Sequence, residues 1–134
     1  MVVDSSAIMA ILLGEPDADR IAFRLATERQ PRISAANYVE AGQVYARRQR
    51  FDPNVSLAHY NAFLDNNGIE ITPVDEVQAR VALDARVKYG RGFGHRAGLN
   101  YSDCFAYALA KTRNLPLLFK GDDFTHTDIV SALA

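Results

Sequence analysis

The sequence opens with Met1-Val2-Val3-Asp4-Ser5-Ser6-Ala7, a short apolar run that ends in an acid and two serines. Such a run before a charged residue indicates a short buried strand. Apolar residues 7–13 follow at once and predict a helix, which Ser5 or Ser6 can cap through the side-chain hydroxyl. A strand that passes directly into a helix is the first half of a β-α-β unit, so this opening favours an α/β fold.

Three later segments, beginning near residues 31, 69 and 116, have the same strand-like character. The sequence between the strands shows helical spacing. Besides the helix at residues 7–13, we expect a helix from residue 16 to about residue 28, helices around residues 39–45, 57–64 and 77–87, and a helix over residues 101–113. Strands that alternate with helices predict a parallel sheet with helices on both faces. We therefore expect a single three-layer α/β/α domain with a central parallel sheet over residues 1–134.

Composition and length agree with this expectation, since 134 residues at 49% hydrophobic content suit one domain with one covered core. The apolar stretch at residues 7–13 is far shorter than the roughly 20 residues that span a membrane. Asp4 interrupts a signal-peptide pattern. We expect a soluble, cytoplasmic protein without membrane association. The single cysteine, Cys104, cannot form an internal disulfide and is interpreted as a small buried side chain.

Charge is divided unevenly along the chain. Residues 86–120 contain one acid, Asp103, and seven basic side chains, so the segment carries +6: Arg86, Lys88, Arg91, Arg96, Lys111, Arg113 and Lys120. Because the whole chain carries −1, the remainder carries −7. This division can steer a polyanion toward the basic region, although ordinary solvated faces explain it equally well.

Acidic residues fall where strands end or helices begin. Asp4 and Asp122 follow predicted strands, Asp103 lies in the first turn of a predicted helix, and Glu40 lies inside a helix among apolar neighbours. Ligands of open parallel sheets collect at the carboxyl ends of the strands. Carboxylates that meet there stay ionised only beside a cation, and oxygen ligands without cysteine favour Mg²⁺ or Mn²⁺. Such ions activate water for phosphodiester hydrolysis.

Each of these acids also has a purely structural interpretation. Asp4 and Asp103 can start helices, the adjacent Asp122 and Asp123 can form a turn, and Glu40 can pair with an arginine one turn later. From spacing alone, the four-acid site is one hypothesis beside these structural roles.

Four segments carry a resemblance to a known family: VVDSSA at residues 2–7, SAANYVE at residues 34–40, HRAGLNYSDCFAYALAK at residues 95–111, and LLFKGDDF at residues 117–124 followed by TDI at residues 127–129. In this order, and over nearly the whole chain, they resemble VapC toxins of the PIN-domain family. The resemblance implies a PIN-like domain and a Mg²⁺-dependent endoribonuclease, the toxin of a type II toxin–antitoxin system. It further implies a homodimer that a VapB-type antitoxin neutralises in a toxin–antitoxin hetero-oligomer.

By the same resemblance, Asp4, Glu40 and Asp103 occupy the first three acidic positions of the family, with Asp4 and Asp103 as the most direct metal ligands. Either Asp122 or Asp123 occupies the fourth position. We favour Asp122, because it follows the predicted strand and its glycine directly. The expected metal set is thus Asp4, Asp103, Glu40 and Asp122, around Mg²⁺ or Mn²⁺.

Further residues are candidates for contact with RNA. Arg91, His95 and Arg96 precede Asp103 in a glycine-rich loop and can hold phosphates, and Lys120 and Ser5 lie near predicted strand ends. Solvation of a loop, or helix capping by Ser5, explains these residues nearly as well. The tyrosines and phenylalanines on the helices, Tyr101 among them, are interpreted as core or dimer-interface residues rather than as base-stacking platforms.

Two other classes of function fit parts of the pattern. A phospho-accepting, receiver-like signalling domain also combines strand-end aspartates with a lysine after its last strand, here Lys120, but the expected acidic pair beside the first strand is missing. A catalytically silent PIN domain that only binds RNA or an antitoxin is the second alternative.

Overall fold

The computed structural model describes residues 1–134, in which four short strands alternate with six helices. The elements are β1 (Val2–Val3), α1 (Ser5–Leu12), α2 (Ala18–Ala26), β2 (Arg32–Ser34), α3 (Ala35–Arg48), α4 (Pro53–Asn66), β3 (Glu70–Thr72), α5 (Glu76–Tyr89), α6 (Asp103–Arg113) and β4 (Leu117–Leu118). All four strands lie where the sequence predicted them.

The sheet is parallel throughout, with the strand order β3-β2-β1-β4. The chain moves outward from β1 to β3 and then returns to the other side of β1 with β4. The order therefore reverses at β1, and crevices outside the carboxyl ends of strands at such a reversal are the usual ligand sites of open α/β sheets. Asp4 follows β1 directly and lies at this point.

Successive strand residues point to opposite faces of the sheet, and each face has its own hydrophobic core. Val3 and Leu118 belong to a core that α1, α2, α3 and α4 cover. Val2 and Leu117 belong to a second core, which α5 and α6 cover. Helices thus lie on both faces, which confirms the predicted three-layer α/β/α architecture. Cys104 is buried in the second core, and burial raises the pKa of its thiol to about 11.

Helix starts differ slightly from the predicted ones, because side chains decide them. Asp4, rather than a serine, caps α1: its carboxylate accepts a hydrogen bond from the Ser6 N–H. Helix α6 begins at Asp103, later than the predicted start at residue 101, because the Asn100 side chain accepts a hydrogen bond from the Asp103 N–H at 2.8 Å. These caps fix the two acids at helix termini.

The C-terminal segment pairs with the free side of β4. The Leu117 N–H donates to the Val130 carbonyl, and the Ala132 N–H donates to the Leu117 carbonyl, each over 2.9 Å. Arg24 of α2 holds the same segment through a 3.0 Å hydrogen bond from Nε to the Ala132 carbonyl. None of the six helices combines the length and the apolar character that crossing a bilayer requires.

Candidate active site

Acids from four distant parts of the chain line a cavity of about 200 Å³ at the carboxyl end of β1. Asp4 follows β1, Glu40 lies on α3, Asp103 begins α6, and Asp123 lies in the turn after β4. The remaining lining residues are Ser5, Ser6, Met9, Ala41, Val44, Asn100 and Lys120. We call this space the acidic cavity.

Asp4, at the point where the strand order reverses, is almost fully buried, with 3% of its surface exposed. Its Oδ2 accepts hydrogen bonds from the Ser6 N–H at 3.0 Å and the Ser6 hydroxyl at 2.6 Å. Its Oδ1 is buried and has no hydrogen-bond partner. Burial, reinforced by the charge of Glu40, raises the pKa of Asp4 to about 6 against the lowering effect of Ser6. A buried acceptor without a partner costs free energy unless a donor or a cation satisfies it.

Asp103 is the second buried acid of the cavity. Its Oδ2 accepts from the Asn100 N–H at 2.9 Å, and its own N–H donates to the Asn100 side chain, so the two residues hold each other. Burial is the main cause that raises the pKa of Asp103 to about 7, and the charges of Asp4, Asp123 and Glu40 add to it. Asp103 thus lies within electrostatic reach of the other three acids.

Glu40 is half-buried and connects α3 to the start of α6. The Ser102 hydroxyl donates a short hydrogen bond to Glu40 Oε2, and Asn37 Nδ2 donates to the Ser102 carbonyl at 2.9 Å. Glu40 therefore has a serine partner in place of the arginine that the structural interpretation required. Its helix presents it to the acidic cavity.

The fourth acid that the structure brings to the cavity is Asp123, whereas Asp122, which we favoured from the sequence, lies outside the lining residues. The main-chain carbonyl of Asp122 accepts hydrogen bonds from Thr125, from N–H at 3.1 Å and from Oγ1 at 2.6 Å, as in a turn. Gly121, at a φ of 94°, redirects the chain just before the two acids. The geometry therefore favours Asp123 for the fourth position.

The donor set fits a hard divalent cation, because the cavity offers carboxylate oxygens and neither histidine nor cysteine. The partnerless, buried Oδ1 of Asp4 fits the same assignment. As the side chains stand, no group of three or more acids, histidines or cysteines is close enough to hold a metal ion. Asp4, Glu40 and Asp103 are each held by hydrogen bonds to a different neighbour, Ser6, Ser102 and Asn100 respectively.

Comparison with known proteins identifies the family. The family model of the PIN domain matches residues 1–130. Ribonuclease VapC42 of Mycobacterium tuberculosis is 50% identical over 131 residues, which cover 96% of each chain. Ribonuclease VapC28 of the same organism is 47% identical over 133 residues, 99% of this chain and 98% of the relative. The chain belongs to the PIN domain family.

Two solved structures, one described as a toxin and one as a toxin–antitoxin complex, contain the same fold. Mycobacterium tuberculosis VapC20, described as a toxin that cleaves the sarcin-ricin loop, gives a TM-score of 0.76 at 15% sequence identity, with 96% of this chain and 95% of that chain covered. A toxin–antitoxin complex from Klebsiella pneumoniae gives a TM-score of 0.73 at 16% identity, with 99% and 97% covered. At such low identity the likeness concerns the fold alone.

Of the five residues proposed for RNA contact, two line the acidic cavity of this PIN domain and three do not. Ser5 and Lys120 line the acidic cavity, where Ser5 Oγ donates to the Asn37 carbonyl and the Lys120 ammonium pairs with Glu15. Arg91 and Arg96 are exposed on the loop before Asn100 and do not line the cavity. His95 lies outside it too, with its Nδ1 accepting from the Ala97 N–H at 3.0 Å and its ring edge-on to Tyr89.

Sequence reasoning missed the residues that position the acids. Asn100 and Ser102 lie three and one residues before Asp103, and a helix-start pattern in that segment was the available signal. Asn37 lies one helical turn before Glu40, on the same side of α3. Glu15 had no local signal, since it meets Lys120 across 105 positions of sequence.

Proposed function

We propose that this PIN domain is a metal-dependent endoribonuclease and acts as the toxin of a type II toxin–antitoxin system. The observation that carries the proposal is the convergence of Asp4, Glu40, Asp103 and Asp123 on one cavity, with a partnerless carboxylate oxygen on Asp4. Relatives named VapC ribonucleases, 41–50% identical over nearly the whole chain, support the same activity.

Asp4 and Asp103 would hold Mg²⁺ or Mn²⁺, with Glu40 and Asp123 completing the set. Bound there, the cation would make a water molecule more acidic and neutralise charge that develops on the phosphodiester. Ser6 keeps Oδ2 of Asp4 occupied and so leaves Oδ1 for the cation. Ser102 orients Glu40, whose other carboxylate oxygen can accept a proton from the attacking water.

Lys120 supplies the positive charge at the rim of the acidic cavity. Its ammonium pairs with Glu15, and its main-chain N–H donates to Ser6 Oγ at 3.0 Å. The first bond holds the ammonium at Glu15 and the second holds the Lys120 main chain at Ser6, so no salt bridge joins Lys120 to Asp4. A phosphate oxygen placed between the acids and Lys120 would be bound by charge and oriented for cleavage.

The proposed partners are RNA and a VapB-type antitoxin, with a homodimer as the toxin unit of a toxin–antitoxin hetero-oligomer. Toxin–antitoxin complexes among the proteins of the same fold, one of them from Klebsiella pneumoniae, support an antitoxin as the partner. An antitoxin segment seated in the acidic cavity would exclude RNA from Asp4 and Asp103. Light scattering of the purified chain, alone and with its antitoxin, measures both assemblies.

The deciding experiment incubates the purified protein with total RNA, with Mg²⁺ or with EDTA, and maps the cut ends. We expect cleavage only with Mg²⁺, and a loss of at least about 100-fold in Asp4→Asn and Asp103→Asn with unchanged circular dichroism. Asp84→Asn is the matched control, because Asp84 is an exposed acid on α5, a helix that contributes no residue to the cavity. Cleavage that persists in EDTA or in Asp4→Asn contradicts the metal mechanism. RNA that is bound and never cut indicates a silent PIN domain.

A further inference from the structure

A second cavity, of about 370 Å³, adjoins the acidic cavity and has no role in the proposal so far. The two spaces share Glu40 and Asn100 as lining residues. Residues of α3 form one wall of the second cavity, and residues at the start of α6 form the other: Ala36, Val39, Gln43, Tyr101, Ser102 and Phe105. We call this space the side groove.

Tyr101 is strongly exposed in the side groove, although it is large and aromatic, so it is not the core residue that one of its two interpretations from the sequence made it. Of its surface, 73% is accessible to solvent. Its ring meets the ring of Phe105 in an edge-on contact, with 5.1 Å between centroids and an angle of 76°. Phe105 is partly buried against the second core and supports the Tyr101 ring from one side. The ring is therefore held in place while much of its surface remains free for a ligand.

We propose that the side groove binds the nucleobase next to the scissile phosphate, with the base stacked on Tyr101 and its polar edge bonded by Gln43. This inference rests on the proposed ribonuclease function and adds to it a residue pair that determines specificity. Unstacked bases of single-stranded RNA stack on aromatic side chains and hydrogen-bond along their edges. Since Glu40 and Asn100 belong to both spaces, a nucleotide whose phosphate lies at the acids has its base within reach of the side groove.

The chemistry of the groove favours a base over an apolar protein segment. Tyr101 and the exposed Val39 provide flat or apolar contact area, whereas Gln43, Asn100 and Ser102 provide hydrogen-bonding groups in the same space. Ser102 and Asn100 already bond to Glu40 and Asp103, so Gln43 is the residue whose amide an apolar partner would bury without a hydrogen bond, which is costly. A nucleobase has an apolar face, which can pack on Tyr101 and Val39, and a polar edge, which can hydrogen-bond to Gln43.

The charge around the groove also suits RNA. Tyr101 and Phe105 border a neighbouring apolar pocket together with Arg86, and Arg86 begins the segment of residues 86–120 that carries +6. The exposed Arg91 and Arg96 belong to the same segment. The net positive charge of this segment would attract the phosphates of an approaching RNA.

The first test measures kcat/KM on a synthetic RNA that copies the strongest cut site mapped in total bacterial RNA. We expect Tyr101→Ala to lower kcat/KM roughly 5- to 150-fold, the range found for loss of one stacked base. Tyr101→Phe keeps the ring and should stay within about twofold. Phe23→Ala is the matched control, because Phe23 is also 73% exposed but lies on α2, away from both cavities. Gln43→Ala should relax the base preference at one position beside the cut.

The second test observes stacking directly in Asp4→Asn protein, which should bind RNA without cutting it. The same synthetic RNA carries 2-aminopurine at one or the other nucleotide beside the cut, because stacking on an aromatic ring quenches its fluorescence. Quenching at one position in Asp4→Asn, lost with Tyr101→Ala and kept with Tyr101→Phe or Phe23→Ala, supports the base site. Equal quenching in all variants overturns it.

The two levels of the hypothesis fail in different ways. If the wild-type protein cuts no RNA with Mg²⁺, the proposed function falls, and the base site falls with it. If the wild-type protein cuts RNA and Tyr101→Ala matches Phe23→Ala in kcat/KM, only the base site is wrong. If Tyr101→Ala dissociates a dimer in sedimentation and its activity returns at high protein concentration, the groove is an interface between two copies, and the base site is overturned.

Discussion

Ser6 decides which oxygen of Asp4 remains free. Its N–H and its hydroxyl both donate to Oδ2, and the hydroxyl oxygen accepts from the Lys120 N–H. One serine thus joins the start of α1 to the segment after β4 and fixes the orientation of the buried carboxylate. Oδ1 is left without a partner as a consequence. We regard Ser6 as a positioning residue for the proposed metal ligand.

Replacement of this hydroxyl should weaken cation binding. Ser6→Ala removes one of two donors to Asp4 Oδ2, so we expect Mg²⁺ affinity to fall roughly tenfold, as for other outer-sphere partners of metal ligands. Isothermal titration calorimetry measures the affinity. Ser5→Ala is the control, because Ser5 Oγ donates to the Asn37 carbonyl rather than to an acid. Equal Mg²⁺ affinity in the two variants would contradict the positioning role of Ser6.

The adjacent acids after β4 give a test of the fourth position. Asp123 lines the acidic cavity and adds to the raised pKa of Asp103, whereas Asp122 lies outside the cavity. We expect Asp123→Asn to reduce RNA cleavage by at least about tenfold and Asp122→Asn to leave it within about twofold. Cleavage of one labelled RNA by both variants at equal concentration measures the difference. The reverse order of effects would restore our original preference for Asp122.

The sequence predicted the convergence of Asp4, Glu40 and Asp103: Asp4 and Asp103 lie at element ends that a parallel sheet brings to one edge, and Glu40, inside a helix, was added by the family resemblance. Their catalytic role stays a prediction. The choice between Asp122 and Asp123 was out of reach, because both follow the strand and only the backbone at Gly121 decides which one turns inward. Hydrogen bonds across the fold, such as Ser102 to Glu40, have no local signature.

At the scale of elements, Gly42 allows α3 and α4 to approach each other. A Cβ at this position would lie 2.8 Å from the Tyr60 ring. Tyr60 is fully buried, and its hydroxyl donates to the Tyr38 carbonyl at 2.7 Å, so the ring cannot easily move aside. Glycine within a helix is unfavourable by about 1 kcal/mol relative to alanine. The close contact between the two helices outweighs that cost here.

Gly42→Ala should therefore destabilise the protein despite the better helix propensity of alanine. We expect the free energy of unfolding to fall by about 1–3 kcal/mol, the usual cost of an overpacked core. Urea denaturation followed by circular dichroism measures it. Ala58→Gly, at an exposed position of α4, calibrates the propensity difference without a ring contact. A Gly42→Ala protein that is more stable than the wild type would show that the helices can separate freely.

Elements were predictable where periodicity was strong, and their ends were not. The four strands and the helices that contain Glu40 and Asp103 follow from apolar spacing and turn residues. The starts of α1 and α6 depend on which side chain accepts the first free N–H groups, Asp4 in one case and Asn100 in the other. Several side chains near each start could do so, and tertiary contacts select among them.

At the scale of the whole molecule, the two buried acids couple stability to pH. Asp4 and Asp103 have pKa values of about 6 and about 7 in the folded chain, against 3.8 for an ordinary aspartate. Between these values the folded chain holds more protons than the unfolded chain, so the free energy of unfolding decreases as pH rises. The stabilising proton uptake is complete only below the unfolded pKa and is lost above about pH 7.

In EDTA, protonation of these two groups should raise the melting temperature of the wild-type protein at pH 5.5 above its value at pH 8. Asp4→Asn keeps the helix cap and removes the buried charge, so it should be more stable than the wild type at pH 8, by about 1–3 kcal/mol. Thermal melts of both proteins at the two pH values measure this, with Asp84→Asn as the surface control. If Asp4→Asn is less stable than the wild type at pH 8, the buried charge of Asp4 does not destabilise the fold.

Added Mg²⁺ should stabilise the wild type at pH 8 more than it stabilises Asp4→Asn. A cation that binds only the folded chain stabilises it by about 2.7 kcal/mol at one hundred times its Kd. We expect the melting temperature of the wild type to rise with Mg²⁺ at pH 8, and less so at pH 5.5, where protons compete with the cation for Asp4 and Asp103. Asp4→Asn should show little response. An equal shift in both proteins would place the bound cation elsewhere.

The pairing of residues 130–132 with Leu117 has a consequence unrelated to RNA. An unpaired strand at the rim of a sheet is a template for cross-β association between molecules. The opposite rim is β3, only three residues long and carrying the exposed charge of Glu70. Clipping of the last five residues by a protease would bare the main chain of β4 and leave the clipped molecules prone to aggregate, even with every acid of the cavity intact.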